Sequence, residues 1–169
     1  MPRLDDATPS GVQHVAQALA GLGAQHTPQV LPGPAHTAAQ AAAQLGVPVA
    51  AIANSLIFAD DGHPLLVITS GGHRADPLSL AALLSASSVR PATPAEVRRW
   101  THQPIGGVAP VGHPKPLKTL VDVELAHYTT VWCGAGHPSW VFATSYGELL
   151  RITAGEAAEV GDLSARETP

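Results

Sequence analysis

Apolar and polar residues alternate along the chain with two spacings, which together predict a mixture of helices and strands. Apolar residues three and four positions apart predict an amphipathic helix from about Pro9 to Leu22, with Thr8 as its cap and Gly21 and Gly23 at its end. Further helices are predicted over residues 37–45, 76–84 and 94–101 and in a last segment after Ser145. Each of these begins at a residue type that commonly caps helices.

Two apolar runs, 53–59 and 64–69, flank Asp60-Asp61-Gly62, a sequence typical of a tight β-hairpin turn. Because both runs are almost continuously apolar, we expect both faces of these strands to be covered. Other extended segments are predicted near residues 26–31, 89–91, 119–123, 129–133, 139–143 and Val160. Strands joined by hairpins and interrupted by helices indicate an α/β fold of the α+β type, with a mixed, mainly antiparallel sheet flanked by helices.

The 169 residues and 45% hydrophobic content fit one globular domain over residues 1–169, with its core at about 9–160 and frayed ends. An acidic N-terminus and the lack of a long apolar stretch predict a soluble cytoplasmic protein without a membrane partner. A net charge of −4 argues against a protein that coats DNA or other nucleic acid, although it allows a grip on one or two terminal nucleotides.

No familiar catalytic motif stands out. The nine histidines lack the spacing of a helical zinc motif, so we expect neither a metal nor a cofactor. A G-x-S-x-G elbow and a phosphate-binding loop are also absent, and the single cysteine, Cys133, has the apolar neighbours of a buried residue. The glycine-rich stretch 106–112 is either a place where the main chain approaches a ligand closely or an ordinary surface loop.

Four segments carry a family resemblance: HTAAQAA at 36–42, IANSLIF at 52–58, PLLVITSGGHRAD at 64–76 and the G-x-x-x-P pattern GGVAP at 106–110. Their order and spacing resemble the YbaK/EbsC family and the related editing domain inserted in bacterial prolyl-tRNA synthetases. The resemblance extends over roughly residues 12–160. It implies a compact fold with a partly closed sheet, and a pocket between the G-x-x-x-P loop and the first hairpin.

The same resemblance implies an activity: hydrolysis of the ester that joins a wrong amino acid to the terminal adenosine of a tRNA. The chemistry implied is metal-free and substrate-assisted, since the free ribose hydroxyl helps to activate water and backbone groups orient it. Preorganised backbone N–H groups could also stabilise the developing oxyanion. The implied partners are the acceptor end of aminoacyl-tRNA and, as a second candidate, an aminoacyl-tRNA synthetase.

Site residues follow from the resemblance in two groups. The catalytic group consists of Asn54, Gly106, Gly107, Val108, Ala109 and Pro110. The substrate-binding group consists of His36, Thr37, Ser55, Ser70, Gly71, His73, Arg74, Gly134, Ala135 and Gly136. We expect Gly107→Val to abolish activity with little loss of folding, because a side chain there would block close approach to the loop.

Asn54 departs from the family, which usually has lysine at this position. Asparagine can donate and accept hydrogen bonds but supplies no cation. Another cation such as Arg74 or Lys115 could replace the lysine, or Asn54 could serve a different substrate, or the protein could bind without efficient catalysis.

Three functions therefore stay open. The first is a deacylase that acts in trans on tRNA charged with a small amino acid such as Ala, Cys, Ser or Thr. The second is a non-catalytic module that binds aminoacyl or nucleotide ends, which the uncharged Asn54 favours. The third is a hydrolase of small-molecule esters, which would gain nothing from the tRNA.

Overall fold

The computed structural model describes residues 4–161, which form one eight-stranded sheet with helices packed on it. The helices are α1 (Ser10–Gly21), α2 (Ala38–Leu45), α3 (Pro77–Leu84), α4 (Pro94–Thr101) and α5 (Tyr146–Thr153), with 3₁₀ turns at Val49–Ala51 and Val123–His127. The strands are β1 (Gln29–Val30), β2 (Ile52–Asp60), β3 (His63–Ser70), β4 (Val89–Pro91), β5 (Lys118–Asp122), β6 (Val131–Gly134), β7 (Trp140–Thr144) and β8 (Glu156–Ala158). None of these helices is long and apolar enough to cross a bilayer.

Local side-chain hydrogen bonds define the starts of most helices. Thr37 accepts from the Gln40 N–H at the start of α2, and Thr93 forms a capping box with Glu96 at the start of α4. The start of α1 differs from the prediction, because Pro9 occupies the cap position without a side-chain bond. The Thr8 hydroxyl instead accepts from the Asp5 N–H at 3.1 Å, so Thr8 stabilises the preceding turn rather than the helix.

The β2–β3 hairpin is confirmed. Asp60 pairs with His63, and the two turn residues, Asp61 and Gly62, have φ angles of 48° and 85°. Two successive positive φ angles are typical of a type I′ turn, whose twist matches that of the flanking strands. This turn fixes the register that places Asn54 opposite Thr69 at the other end of the hairpin.

Both faces of β3 are buried, as its continuous apolar sequence predicts. Leu66 and Ile68 pack into a cluster with Phe142 from β7, whereas the alternating residues Leu65 and Val67 pack on the opposite face. That second cluster is closed by Phe58, Leu80 and Val160. The hairpin is therefore the central layer of the molecule, with apolar side chains on either side of it.

The strand order is β1-β7-β6-β2-β3-β5-β8, and β4 pairs with β2 outside this path. Four pairs are antiparallel and three are parallel, which confirms the mixed, mainly antiparallel sheet. The described strands form an open path that begins at β1 and ends at β8, so the sheet is not closed. The last strand ends at Ala158, before the predicted Val160, which is a buried core residue instead.

The outer edge of β2 is interrupted. It pairs with β6 at Ile52 and Ala53 and with β4 at Phe58 to Asp60. Between these partners, residues 54–57 have no strand neighbour on that edge within residues 4–161. The interruption leaves an opening in the sheet beside the loop that follows α4.

Removing a side chain from the central layer should be costly. Leu66 is fully buried, and we expect Leu66→Ala to lower the free energy of unfolding by about 2–5 kcal/mol through lost burial and a cavity. Leu78 is 81% exposed, so the matched variant Leu78→Ala should change it by less than about 0.5 kcal/mol. Urea denaturation measures both, and equal effects would contradict this assignment of the core.

Candidate functional site

A cavity of about 360 Å³ lies at the interruption in β2. Its walls come from the start of α2, the β2 edge, β6, residues 105–108 and the turn between β6 and β7. Seven of the residues predicted for the site line it, namely His36, Thr37, Asn54, Ser55, Gly106, Val108 and Gly134. The fold therefore brings together segments that are more than 90 positions apart in the sequence.

Asn54 and Ser55 are the polar residues of the β2 wall, and because neighbours on a strand project to opposite faces, their side chains lie on the two sides of the β2 edge. The Asn54 side chain is exposed and makes no hydrogen bond to another residue in 4–161. The Ser55 hydroxyl oxygen is buried and likewise has no hydrogen-bond partner. A buried hydroxyl without a partner is costly, which marks Ser55 as a group that a ligand or water would satisfy.

The rest of the G-x-x-x-P loop lies behind the cavity wall. Gly107, Ala109 and Pro110 are buried and do not line the cavity. The Gly107 N–H donates to the Pro104 carbonyl at 3.1 Å, and the Ala109 N–H donates to the Gln103 side chain at 2.6 Å. Because these two N–H groups are already bonded, neither is available to a ligand.

Two backbone donors of the loop remain. The N–H groups of Gly106 and Val108 make no hydrogen bond to any residue in the described range, and both residues line the cavity. The loop that presents them is held from behind by His113, whose Nε2–H donates to the Ala109 carbonyl at 2.8 Å. Burial lowers the pKa of His113 below its usual 6.5, which favours the neutral ring.

The predicted residues after β3 lie outside the cavity lining. The Ser70 hydroxyl donates to the Ala50 carbonyl at 2.7 Å, and His73 pairs with the buried Asp122 at 2.8 Å. A Cβ on Gly71 would lie 2.4 Å from the Val49 carbonyl oxygen, so this residue permits a close backbone contact. These residues fasten the end of the hairpin, while Arg74 is exposed away from the lining.

Ala135 and Gly136 are also buried behind the wall. The Gly136 N–H donates to the Gly107 carbonyl at 2.8 Å and so ties the turn after β6 to the G-x-x-x-P loop. Among the described lining residues there is no Lys, Arg, Asp or Glu. Neither Arg74 nor Lys115 therefore places a cation in the cavity beside Asn54.

Several lining residues were not predicted from the sequence. Among them are Ile105, Trp132, Cys133, His137 and Trp140. The sequence Gly134-Ala135-Gly136-His137-Pro138 is typical of a turn, but it does not indicate that the turn lines a cavity. Burial raises the pKa of the Cys133 thiol, which keeps it protonated and unreactive, in line with its predicted role as a buried apolar residue. Across residues 4–161, no three His, Cys, Asp or Glu side chains form a candidate metal-binding group.

The described residues define a small α+β domain with an open sheet and with a cavity, at an interrupted strand edge, whose lining contains no Lys, Arg, Asp or Glu. Residues 32–152 match the family described as the aminoacyl-tRNA editing domain. The chain belongs to this family, the YbaK-like family that the sequence motifs resemble.

Similar proteins of known sequence or structure support the same family assignment. The proline–tRNA ligase of Geobacillus kaustophilus is 30% identical over 135 residues, which are 74% of this chain and 24% of the ligase. That of Nitratidesulfovibrio vulgaris (strain Hildenborough) is 36% identical over 91 residues, or 54% of this chain and 16% of the ligase. The chain thus spans a quarter or less of the length of these ligases.

A crystal structure described as a candidate trans-editing enzyme for prolyl tRNA synthetase superposes with a TM-score of 0.87. The two chains are 34% identical, and the match covers 92% of this chain and 99% of the other. Unlike the ligases, this relative has nearly the same extent as the present chain.

Gly107 allows the loop to touch the opposite turn. A Cβ at this position would lie 2.7–2.8 Å from the backbone N, Cα and C atoms of His137. The expectation that Gly107→Val spares folding is therefore corrected, since the added atoms would meet backbone rather than open space.

We expect even Gly107→Ala to lower the free energy of unfolding by about 1–3 kcal/mol, because the two backbones must move apart. Gly147 in α5 has no atom within 4 Å of an added Cβ, so Gly147→Ala is the matched control and should be neutral or stabilising by up to about 1 kcal/mol. Thermal denaturation compares the two. Unchanged stability of Gly107→Ala would contradict the close contact.

Proposed function

We propose that this protein is a deacylase that acts in trans on tRNA charged with a wrong, small amino acid. The observation that carries the proposal is the set of unpaired groups on residues that line one cavity: the N–H groups of Gly106 and Val108, and the Ser55 hydroxyl and Asn54 amide, which project from the two faces of the β2 edge. Neutral groups of this kind can orient an ester and water without a reactive side chain.

The reaction needs few groups from the protein. A water oxygen forms a bond to the ester carbonyl carbon, and the π pair of the carbonyl moves to its oxygen. When this intermediate collapses, the C=O bond reforms, the bond to the ribose oxygen breaks, and that oxygen receives the proton released by water. The neighbouring ribose hydroxyl can relay this proton, so a side-chain base is not required.

Stabilisation of the intermediate falls to the loop. Negative charge develops on the carbonyl oxygen, and N–H donors fixed in advance toward that position stabilise it without reorganisation. The N–H groups of Gly106 and Val108 are the candidates, because those of Gly107 and Ala109 are already bonded. Removing one such donor typically lowers kcat by about 100- to 1000-fold.

The apolar part of the cavity is the proposed site for the side chain of the amino acid. Ala53, Ile57, Val97, Val108 and Cys133 supply apolar surface around a volume of about 360 Å³. Such a pocket separates side chains that differ by one methylene by only about 1–3 kcal/mol. A synthetase that selects its amino acid by the size of the side chain has the same limit. Hydrolysis of the wrong aminoacyl-tRNA after charging then corrects the errors that remain.

A second candidate function is a module that binds aminoacyl or nucleotide ends without hydrolysing them. The observation that favours it is the absence of Lys and Arg from the described cavity lining, including position 54. The two functions differ in what happens to the ester of a bound aminoacyl-tRNA: a deacylase hydrolyses it, whereas a binding module leaves it intact.

The experiment that tests these functions is a deacylation panel. The protein is incubated with tRNAPro charged with Ala, Cys, Ser or Thr, with Pro-tRNAPro as the cognate control and with aminoacyl-adenosine. We expect release of at least one small amino acid well above spontaneous hydrolysis, with Pro retained. Binding without release would support the module, and equal rates on aminoacyl-adenosine would support an esterase of small molecules.

Ser55 provides a sharper test of the cavity. Ser55→Ala removes a buried hydroxyl without a partner, so we expect the protein to become more stable by about 1–3 kcal/mol. If the hydroxyl bonds the substrate, kcat/KM on the preferred aminoacyl-tRNA falls about 3- to 10-fold. Thermal denaturation and single-turnover deacylation measure the two effects, with Ser87→Ala at an exposed position as the control. Lower stability with full activity would contradict both expectations.

A further inference from the structure

His137 is held at the cavity wall by its own backbone turn. The Ser139 N–H donates to the His137 Nδ1 at 3.0 Å, and the Trp140 N–H donates to the His137 carbonyl at 3.0 Å. The other ring nitrogen, Nε2, has no partner within residues 4–161. His137 lines the same cavity as Gly106 and Val108.

The hydrogen bond from Ser139 fixes the tautomer of the ring. A backbone N–H can only donate, so Nδ1 must accept and carries no proton. A neutral imidazole then has its proton on Nε2. In this state Nε2 is a hydrogen-bond donor and cannot take a proton from water, which excludes a role for the ring as a general base through that nitrogen.

The backbone of His137 is fixed to the G-x-x-x-P loop. Its N, Cα and C atoms lie 2.7–2.8 Å from the position of a Cβ on Gly107, and the neighbouring Gly136 N–H donates to the Gly107 carbonyl at 2.8 Å. Gly107 stands between the two loop residues with unpaired N–H groups. Any movement of this loop therefore moves the turn that carries His137.

On this basis we propose that His137 is a third donor of the oxyanion site, which bonds the carbonyl oxygen of the substrate ester through Nε2–H. The inference rests on the proposed deacylase function. During the reaction the ring gains and loses no proton: as the π pair moves to the carbonyl oxygen, the Nε2–H bond to that oxygen strengthens, and it weakens again when the C=O bond reforms.

A neutral donor serves an ester oxygen better than it serves a phosphate. Phosphate recognition in proteins commonly uses charged Lys or Arg side chains, and the described cavity lining contains neither. The ester carbonyl is uncharged in the ground state, so a neutral donor holds it weakly at first and strongly in the transition state.

Steady-state kinetics of His137→Leu and His137→Gln test the proposal on the tRNA that wild type deacylates. We expect His137→Leu to lower kcat about 100- to 1000-fold with little change in KM, and His137→Gln, whose amide can still donate, to keep a larger part of kcat. The control is His63→Leu, an exposed histidine at the hairpin turn, which should keep wild-type kinetics.

Kinetics on aminoacyl-adenosine, which lacks the tRNA phosphates, distinguish a hydrogen bond from His137 to the ester from one to a phosphate. A loss of kcat on both substrates supports a bond to the ester oxygen. A higher KM with unchanged kcat that appears only with tRNA would show a phosphate contact and overturn the proposal.

A spectroscopic readout is independent of turnover. Long-range ¹H–¹⁵N correlation spectra report which ring nitrogen carries the proton, and the His137→Leu spectrum identifies the His137 signals by their loss. We expect the Nε2–H tautomer in the free protein, whereas an Nδ1–H tautomer would overturn the inference. If wild type deacylates but His137→Leu keeps its kcat, only this inference fails; if wild type deacylates nothing, the proposed function itself fails.

Discussion

The site depends on a strand edge that its neighbours leave uncovered. Strand β2 pairs with β6 at one end and with β4 at the other, and residues 54–57 lie between them without a strand partner on that edge. The Ile57 carbonyl accepts from the Ala92 N–H at 3.0 Å, and any other backbone polar group left unpaired along this edge would need water or a ligand as its partner. The cavity occupies this place, and the two polar side chains of its β2 wall, Asn54 and Ser55, follow directly after the last residue paired with β6.

The loop opposite this edge is kept rigid by bonds on its hidden side. The buried Gln103 donates to the Val111 carbonyl at 3.0 Å and accepts from the Ala109 N–H, which closes the base of the loop. His113 adds a bond to the Ala109 carbonyl. These groups are satisfied internally, whereas the N–H groups of Gly106 and Val108, two residues that line the cavity, have no partner among the described residues. Preorganisation of this kind lets donors stabilise developing charge without paying for their own ordering during the reaction.

The sequence predicted the fold well because its signals are local. Capping residues such as Thr37 and Thr93, the Asp-Gly turn at 61–62 and the continuous apolar run of β3 each determine structure through near neighbours. The start of α1 was mispredicted because Thr8 bonds backward to Asp5, a choice between two equally local partners.

The candidate site was predicted less completely, because it depends on contacts between distant segments. The resemblance placed Asn54, Ser55, Gly106 and Val108 in one pocket, and all four line the cavity. It did not show that Gly107 and Ala109 use their N–H groups internally, since their acceptors are set by the path of the chain between 103 and 113. His137 and the tryptophans of β6 and β7 could not be found from spacing, because they reach the cavity only through the pairing of β6 with β2.

The lack of Lys and Arg in the described cavity lining also bears on how a charged substrate would be recognised. With a net charge of −4 and no Lys or Arg in the described lining, the cavity itself offers no lasting attraction to phosphates. In the proposed deacylase, attraction for the tRNA polyanion would come from cations outside the cavity, such as the exposed Arg74 and Lys115, and salt would weaken it. The donors proposed inside the cavity would act at short range on one oxygen. The proposed function thus assigns affinity for the tRNA and stabilisation of the transition state to different residues, so that Asn54 in place of the family's usual lysine would affect the first more than the second.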